Sequence, residues 1–334
     1  MNAEGTDLPK SLDVEAIMST SGTAVRVSHQ EWEYECPIPG GIVVGFDGSS
    51  EATAALTTGA GIARRRNIPL HAVGVIPQFP SYHLSPGVES STASVNSLRT
   101  ELKNAELQVA MKALDPLDAW THETVIGRPV RAIVSAAERR GAELIVLGRH
   151  DHGVMDRVLG NETMLQIMRT TTVPALAVST GISTPKVAVA AVDFSSASIA
   201  AVKAALKLLE ARGTMHLTYV EPSAELLPEG FTLPYDERFP GDIVASFRRL
   251  VSDIGPRCAI LVQPSVLTGR PVQCILDFAE RVGADFIAAG SHGHTRFERI
   301  VLGSVSSSLA RKARCGVLVA PPRAESAMSY SDGG

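Results

Sequence analysis

Gly290 to Ser306 reads GSHGHTRFERIVLGSVS and follows directly on the apolar run ADFIAA. A strand that leaves the core through Gly290 and Gly293, crosses nine residues and meets Gly303-Ser304 has the form of a strand, loop and helix arranged around a ligand. Glycines at 290 and 293 would let backbone N–H groups approach a guest that a Cβ would exclude. Gly303-Ser304 opens a predicted helix carrying Val305 and Leu309. The N–H groups at a helix start and the positive end of its dipole favour an anion, and the hydroxyls of Ser304 and Ser306 add donors. The predicted guest is a phosphate group.

An altered copy of this stretch, AELIVLGRHDHGVMDRVLGNE, runs from Ala142 to Glu162, and it is part of a repeat that spans the chain. GGIVVGFDGSSEATAAL matches PKVAVAAVDFSSASIAAV, each an apolar run ending in an aspartate followed by serines, Asp47 and Asp193. Gly127-Arg128-Pro129 and Gly269-Arg270-Pro271 lie 142 residues apart, as do Gly148 and Gly290. Self-similarity on this scale means duplicated structural units.

Each unit alternates strands with helices. Val187 to Val192 is a continuous apolar run of strand length, suited to a parallel strand covered on both faces. Ile199, Val202, Leu206 and Leu209 fall on one face of the helix that follows, and Ile243, Phe247, Leu250 and Ile254 are in phase on another. Pro271 opens a third at a first-turn position. Further strands are predicted at Met215 to Val220, Ile260 to Val266, Phe286 to Ala289 and Val317 to Ala320, and in the first unit at 42–45, 70–76, 120–125, 144–147 and 175–178. The expected fold is α/β, with two tandem doubly wound domains, each a five-stranded parallel sheet with helices on both faces. The boundaries fall at 39–180 and 185–322, with a short linker near Thr180 to Pro185 that should hold the halves together. Residues 1–38 read as a flexible extension with a short helix around Leu12 to Met18, and 323–334 as a flexible tail.

Composition narrows the function. The 334 residues suit two domains of about 150 each. A net charge of -4, with basic runs confined to predicted helix ends, leaves no electrostatic footprint for nucleic acid. The four cysteines, Cys36, Cys258, Cys274 and Cys315, show neither disulfide nor zinc spacing, which fits a reducing compartment. No apolar run approaches the roughly 18 residues of a membrane span, and the N-terminus has no signal-peptide pattern, so the expected location is the cytoplasm with no membrane insertion. His150 and His152 flank Asp151, and His292 and His294 form a second such pair, but no third ligand is placed beside either, so solvated loop histidines are the preferred reading and no metal site is expected.

The spacing of Gly290 to Ser304 is neither the P-loop nor the dinucleotide fingerprint. The pattern Gly-x2-Gly-x9-Gly-Ser, met by Gly290, Gly293, Gly303 and Ser304, resembles the ATP-binding signature of universal stress proteins, and the resemblance runs from about residue 40 to 321 as two tandem domains. It implies that Asp193 lies near adenosine, that Val220 lines the adenine, and that Gly290, Gly293, Gly303, Ser304 and Val305 hold ribose and phosphates, with Ser306 a further donor. Arg296 either adds a cation to that loop or stands on the surface. The implied cofactors are ATP and Mg2+, and the implied role is nucleotide-dependent regulation or sensing in stress adaptation. The resemblance also implies pairing of domains through their fifth strands, within the chain or in a homodimer, and a protein partner the sequence does not name.

Two departures stand out. Phe194 follows the aspartate where the family commonly has glycine. In the first half, Asp151 takes the place of the second glycine and Asn161-Glu162 that of Gly-Ser, so carboxylates would oppose a polyphosphate, each by about 1 kcal/mol if solvated at ~4 Å. ATP is therefore expected in the second half only. Two alternatives stay open here: a slow Mg-dependent ATPase, for which His292, His294 and Glu298 are the candidate groups and no catalytic residue is assigned, and a scaffold that binds a ligand other than a nucleotide.

Overall fold

The computed structural model describes residues 14–19, 22–27, 40–77, 89–115, 119–149, 160–221, 243–254, 259–291 and 302–322. Gly293, Arg296, Glu298, the four paired histidines and the tail 323–334 lie outside them.

The chain opens with β1 (Val14–Ser19) and β2 (Gly22–Val27), an antiparallel pair in which Val14 stands opposite Val27 and Glu15 opposite Arg26. This replaces the short helix expected around Leu12 to Met18. The alternating β-branched residues Thr23, Val25 and Val27 supply a partner strand that the pattern of residues 12–18 alone does not reveal.

The first half then runs β3 (Ile42–Phe46), α1 (Ser50–Arg66), β4 (Leu70–Pro77), α2 (Glu89–Lys112), β5 (Trp120–Gly127), α3 (Pro129–Arg139), β6 (Leu144–Gly148), α4 (Gly160–Thr170) and β7 (Ala175–Val178). The second repeats it as β8 (Val187–Ala191), α5 (Ser196–Leu208), β9 (Thr214–Glu221), α6 (Ile243–Ile254), β10 (Leu261–Thr268), α7 (Pro271–Arg281), β11 (Phe286–Gly290), α8 (Ser304–Lys312) and β12 (Gly316–Ala320). All ten strands predicted for the two halves are present, each within two residues of its expected ends.

Within each half the strands are parallel, in the order third, second, first, fourth, fifth. The halves join through their fifth strands, antiparallel, with Val317 opposite Ala177, Leu318 opposite Leu176 and Val319 opposite Ala175. With β2 added antiparallel to the edge of β10 at Ala24 and Ser265, one sheet of 12 strands runs through the chain.

Helices cover both faces. α1, α2, α5 and α6 pack on one, around Leu56, Leu107, Leu206 and Phe247, and α3, α4, α7 and α8 on the other, around Ile133, Ile167, Phe278 and Leu309. Both cores cross the junction, because Leu176 and Leu318 point to the first face while Ala177 and Val317 point to the second. The linker is anchored as well: the Ile182 N–H donates to Thr58 Oγ1 at 2.9 Å, and Arg65 of α1 donates to the Leu208 carbonyl at the end of α5. The halves are packed as a unit, as the short linker implies.

Candidate functional site

In an open parallel sheet, ligands bind beyond the carboxyl ends of the strands where the strand order reverses. In the second half that place lies between β8 and β11, and Asp193, Gly290 and the start of α8 meet there.

The aspartate first builds the turn. Asp193 Oδ1 accepts from Ser195 N–H at 3.0 Å and from Ser195 Oγ at 2.5 Å, and Ser195 Oγ in turn caps α5 by accepting from Ser198 N–H at 3.2 Å. The first half repeats this. Asp47 Oδ1 accepts from Ser49 N–H at 3.0 Å and Oγ at 2.6 Å, and Ser49 caps α1 through Ala52 N–H at 3.0 Å. These serines are N-caps of the ordinary kind.

Phe194 does not spoil the turn. It holds φ at 60°, where its counterpart Gly48 has 92°. A left-handed conformation costs a non-glycine residue on the order of 1 kcal/mol, and aromatic packing offsets it. The Phe194 ring stacks on Tyr219 with centroids 5.7 Å apart and meets Phe247 edge-on at 5.2 Å. Sequence reading missed Tyr219, the residue before Val220. Burial, then the carboxylates of Glu221 and Asp193, push its phenol pKa up, so it stays neutral beside the turn.

Gly290 is explained differently from the expectation. A Cβ there would come within 2.7 Å of the Ala197 carbonyl carbon and the Ser198 nitrogen, so the missing side chain admits the first turn of α5. Gly148 shows the same contact, 2.7 Å to Ala52 N and to the carbonyl carbon of Glu51 in α1. Helix packing requires glycine at both strand ends.

Gly303 is the N-cap of α8, donating its N–H to the Ser291 carbonyl at 2.7 Å. Ser304 is exposed. Ser306 is buried and donates its hydroxyl to the Gly290 carbonyl, which takes it off the list of phosphate donors in this conformation. Val220 and Val305 are both partly buried against the core of the α7 and α8 face, so they line the same side. Thr218, two residues before Val220, is 1% exposed, and among the described residues its Oγ1 has no hydrogen-bond partner. An orphaned buried hydroxyl is uncommon, and a pattern-based reading had no signal for it.

The first half brings different residues to the same places. Strand registers place Val73 where Thr218 stands, and the 142-residue offset places Leu147 at Ala289, Glu162 at Ser304 and Met164 at Ser306. A cavity of about 680 Å³ lies at the strand ends, walled by Phe46, Ile76, Ile133, Leu147 and Met164, with Arg99, Leu102 and Glu106 of α2 on the far wall. Lys103 donates to the Asp47 carbonyl at 2.8 Å and to Glu106 Oε2 at 2.7 Å. Among the described residues no cluster of three or more histidines, cysteines or carboxylates could hold a metal ion, and no helix is long and apolar enough to cross a membrane.

Comparison with known proteins agrees with this geometry. Residues 41–179 and 185–321 each match the universal stress protein family. Universal stress protein Rv2005c of Mycobacterium tuberculosis is 25% identical over 316 residues, covering 84% of this chain and 96% of that protein. A universal stress protein structure from Archaeoglobus fulgidus covers 85% of this chain and 98% of its own, with a TM-score of 0.60 and 20% identity, a likeness of fold. A universal stress protein solved in complex with cAMP covers 42% of this chain at a TM-score of 0.30 and 21% identity; the nucleotide belongs to that protein. With two family matches falling on two repeats of one strand order, the chain belongs to the universal stress protein family, with two such domains in tandem.

Proposed function

We propose that this protein binds ATP, with Mg2+, in its second half and acts in the cytoplasm as a nucleotide-dependent regulator or sensor of stress, with a protein partner reading its state. The observation that carries the reading is the difference between the two helix starts. α8 opens on Gly303-Ser304, and by helix geometry the N–H groups of its first turn have no partner inside the helix. α4 has Glu162 in its first turn, the wrong charge for a phosphate. Small or polar residues Ala289, Ser306 and Thr218 leave room beside Val220 and Val305 for a base and sugar. Mg2+ would arrive on the phosphates, which usually supply much of its coordination.

A regulator is preferred to an enzyme because the carboxylate described at the crevice, Asp193, is engaged in holding its own turn, accepting from Ser195 N–H and Oγ. Any hydrolysis is expected to be slow. Calorimetric titration with Mg-ATP tests the reading: one site per chain, abolished by Gly303→Asp, is the expected result. Two sites would overturn the assignment to the second half, and none would overturn nucleotide binding.

The first-half cavity favours a second reading for that half, a pocket for a largely apolar small molecule. Its volume lies within the range of ordinary ligand pockets, and Leu147 and Met164 line it where the second half has the smaller Ala289 and Ser306. Saturable fluorescence of anilinonaphthalene sulfonate, undiminished by Mg-ATP, is expected; full displacement by Mg-ATP would refute it.

A further inference from the structure

The described residues expose five large hydrophobic side chains, and four of them lie on one helix: Val95, Leu98, Leu102 and Val109 of α2, exposed by 48%, 56%, 62% and 69%. The fifth, Ile126, lies on β5, the edge strand that α2 packs against. With exposed Ala105 the stripe runs 95, 98, 102, 105, 109, an alternation of three and four residues. That is the a/d spacing of a two-helix seam, narrower than the stripe a helix needs to sit on its own core. α2 already has such a core stripe on its other side, where Leu107 and Met111 are buried. Its counterpart α6, at 12 residues against 24, contributes no exposed large hydrophobic. Leu102 also borders the first-half cavity, but Val95, Leu98 and Val109 are unaccounted for by the fold or by either crevice.

We infer that α2 is a homodimer interface, pairing antiparallel with α2 of a second copy of this chain. The flanking charges select that partner and direction. Arg99 and Glu106 border the stripe on one side, and Glu101 and Gln108 on the other. Antiparallel packing sets like flanks together, so Arg99 faces the partner's Glu106, which pairs with Lys103 of its own helix yet keeps its side chain 44% exposed, and by the two-fold axis Glu106 faces the partner's Arg99. In the same register Leu98 packs against the partner's Val109 and Leu102 against the partner's Ala105, large against small. A parallel pair would instead set Glu101 against the partner's Glu106 on both sides of the seam, which repels. Because Arg99, Leu102 and Glu106 also wall the first-half cavity, the second copy becomes part of that cavity's surroundings.

A contact of about four turns per copy falls at the small end of specific interfaces, so the dimer should be reversible at micromolar concentration. Sedimentation velocity of the full chain across the micromolar range is expected to show a concentration-dependent dimer. Leu102→Glu should weaken it by about tenfold or more, with the melting temperature held because Leu102 is exposed. Val109→Glu should act in the same way. Under mild oxidation, Leu98→Cys mixed with Val109→Cys should give an inter-chain disulfide that neither variant forms alone. A chain that stays monomeric, or a dimer that survives Leu102→Glu, overturns the interface. Self-linking of Leu98→Cys alone overturns its direction.

Discussion

The crevice of the first half has Leu147 and Met164 on its walls and Arg99, Lys103 and Glu106 at one side. The second half has Ala289 and Ser306 in the places of Leu147 and Met164, yet both hang on the same scaffold. Asp47 and Asp193 accept from Ser49 and Ser195 in the same way, and Gly148 and Gly290 admit the first turns of α1 and α5 at the same distance. What a duplicated fold keeps is therefore the turn and the helix approach, and what it varies is the handful of side chains facing the guest. Sequence motifs that mix the two kinds of residue overstate how much of a motif is chemistry. Here Asp193 and Gly290 have full structural accounts, whereas Ser304, Val305 and Val220 carry the specific part of the nucleotide reading.

The sharpest way to break this comparison is to add a side chain at both strand-end glycines. Valine at either position meets helix backbone, which cannot swing aside, so Gly148→Val and Gly290→Val should each destabilise the chain by about 3 kcal/mol or more. Equal losses in chemical denaturation of the nucleotide-free protein are the expected outcome. If Gly290 served ligand approach alone, Gly290→Val would lose ATP affinity with stability intact and Gly148→Val would be silent.

A smaller effect separates the two turns. Phe194→Gly removes the left-handed strain but also both ring contacts, each worth about 0.5–1.5 kcal/mol beyond the area buried, so the variant should be less stable by about 1–2 kcal/mol. Gly48→Ala in the first half has only the strain and the approach of Glu106, whose Oε1 would lie 2.0 Å from the new Cβ. It should therefore lose stability without any aromatic signal, while Phe194→Gly also changes near-ultraviolet circular dichroism. A more stable Phe194→Gly would show that the cluster does not offset the strain.

The strands were legible because a buried parallel strand is a continuous apolar run, as at Val187 to Ala191, and because the second copy fixed the alignment. β1 and β2 were not, since β2 finds its place against β10, more than 200 residues along the chain, and local periodicity cannot name a distant partner. The position of Gly290 was legible and its reason was not: a glycine tells that something comes close and leaves open whether that is a helix or a guest. Thr218, inside a strand, reads as an ordinary β-branched residue, and only its orphaned hydroxyl marks it.

The smallest predicted effect is pH dependence, and it too divides between the halves. His71 of the first half is buried, 2.8 Å from Thr121 Oγ1 through Nδ1 and 3.4 Å from Glu123 Oε1 through Nε2. Burial, then the Arg140 charge, hold its pKa below the usual 6.5, against the pull of Glu123. His216 of the second half, edge-on to Phe278 at 5.4 Å, is lowered by burial alone. The unfolded chain binds protons at these sites near the ordinary value while the folded chain holds the rings neutral. Stability is thus full above about pH 6.5 and falls as pH drops through it, until the folded rings themselves protonate. Denaturation midpoints measured down to pH 5 should decline, His216→Leu should remove part of the decline, and added salt should change only the His71 share, because only there do charges contribute. A midpoint that rises on acidification would mean that Glu123 outweighs burial and that His71 is charged in the folded protein.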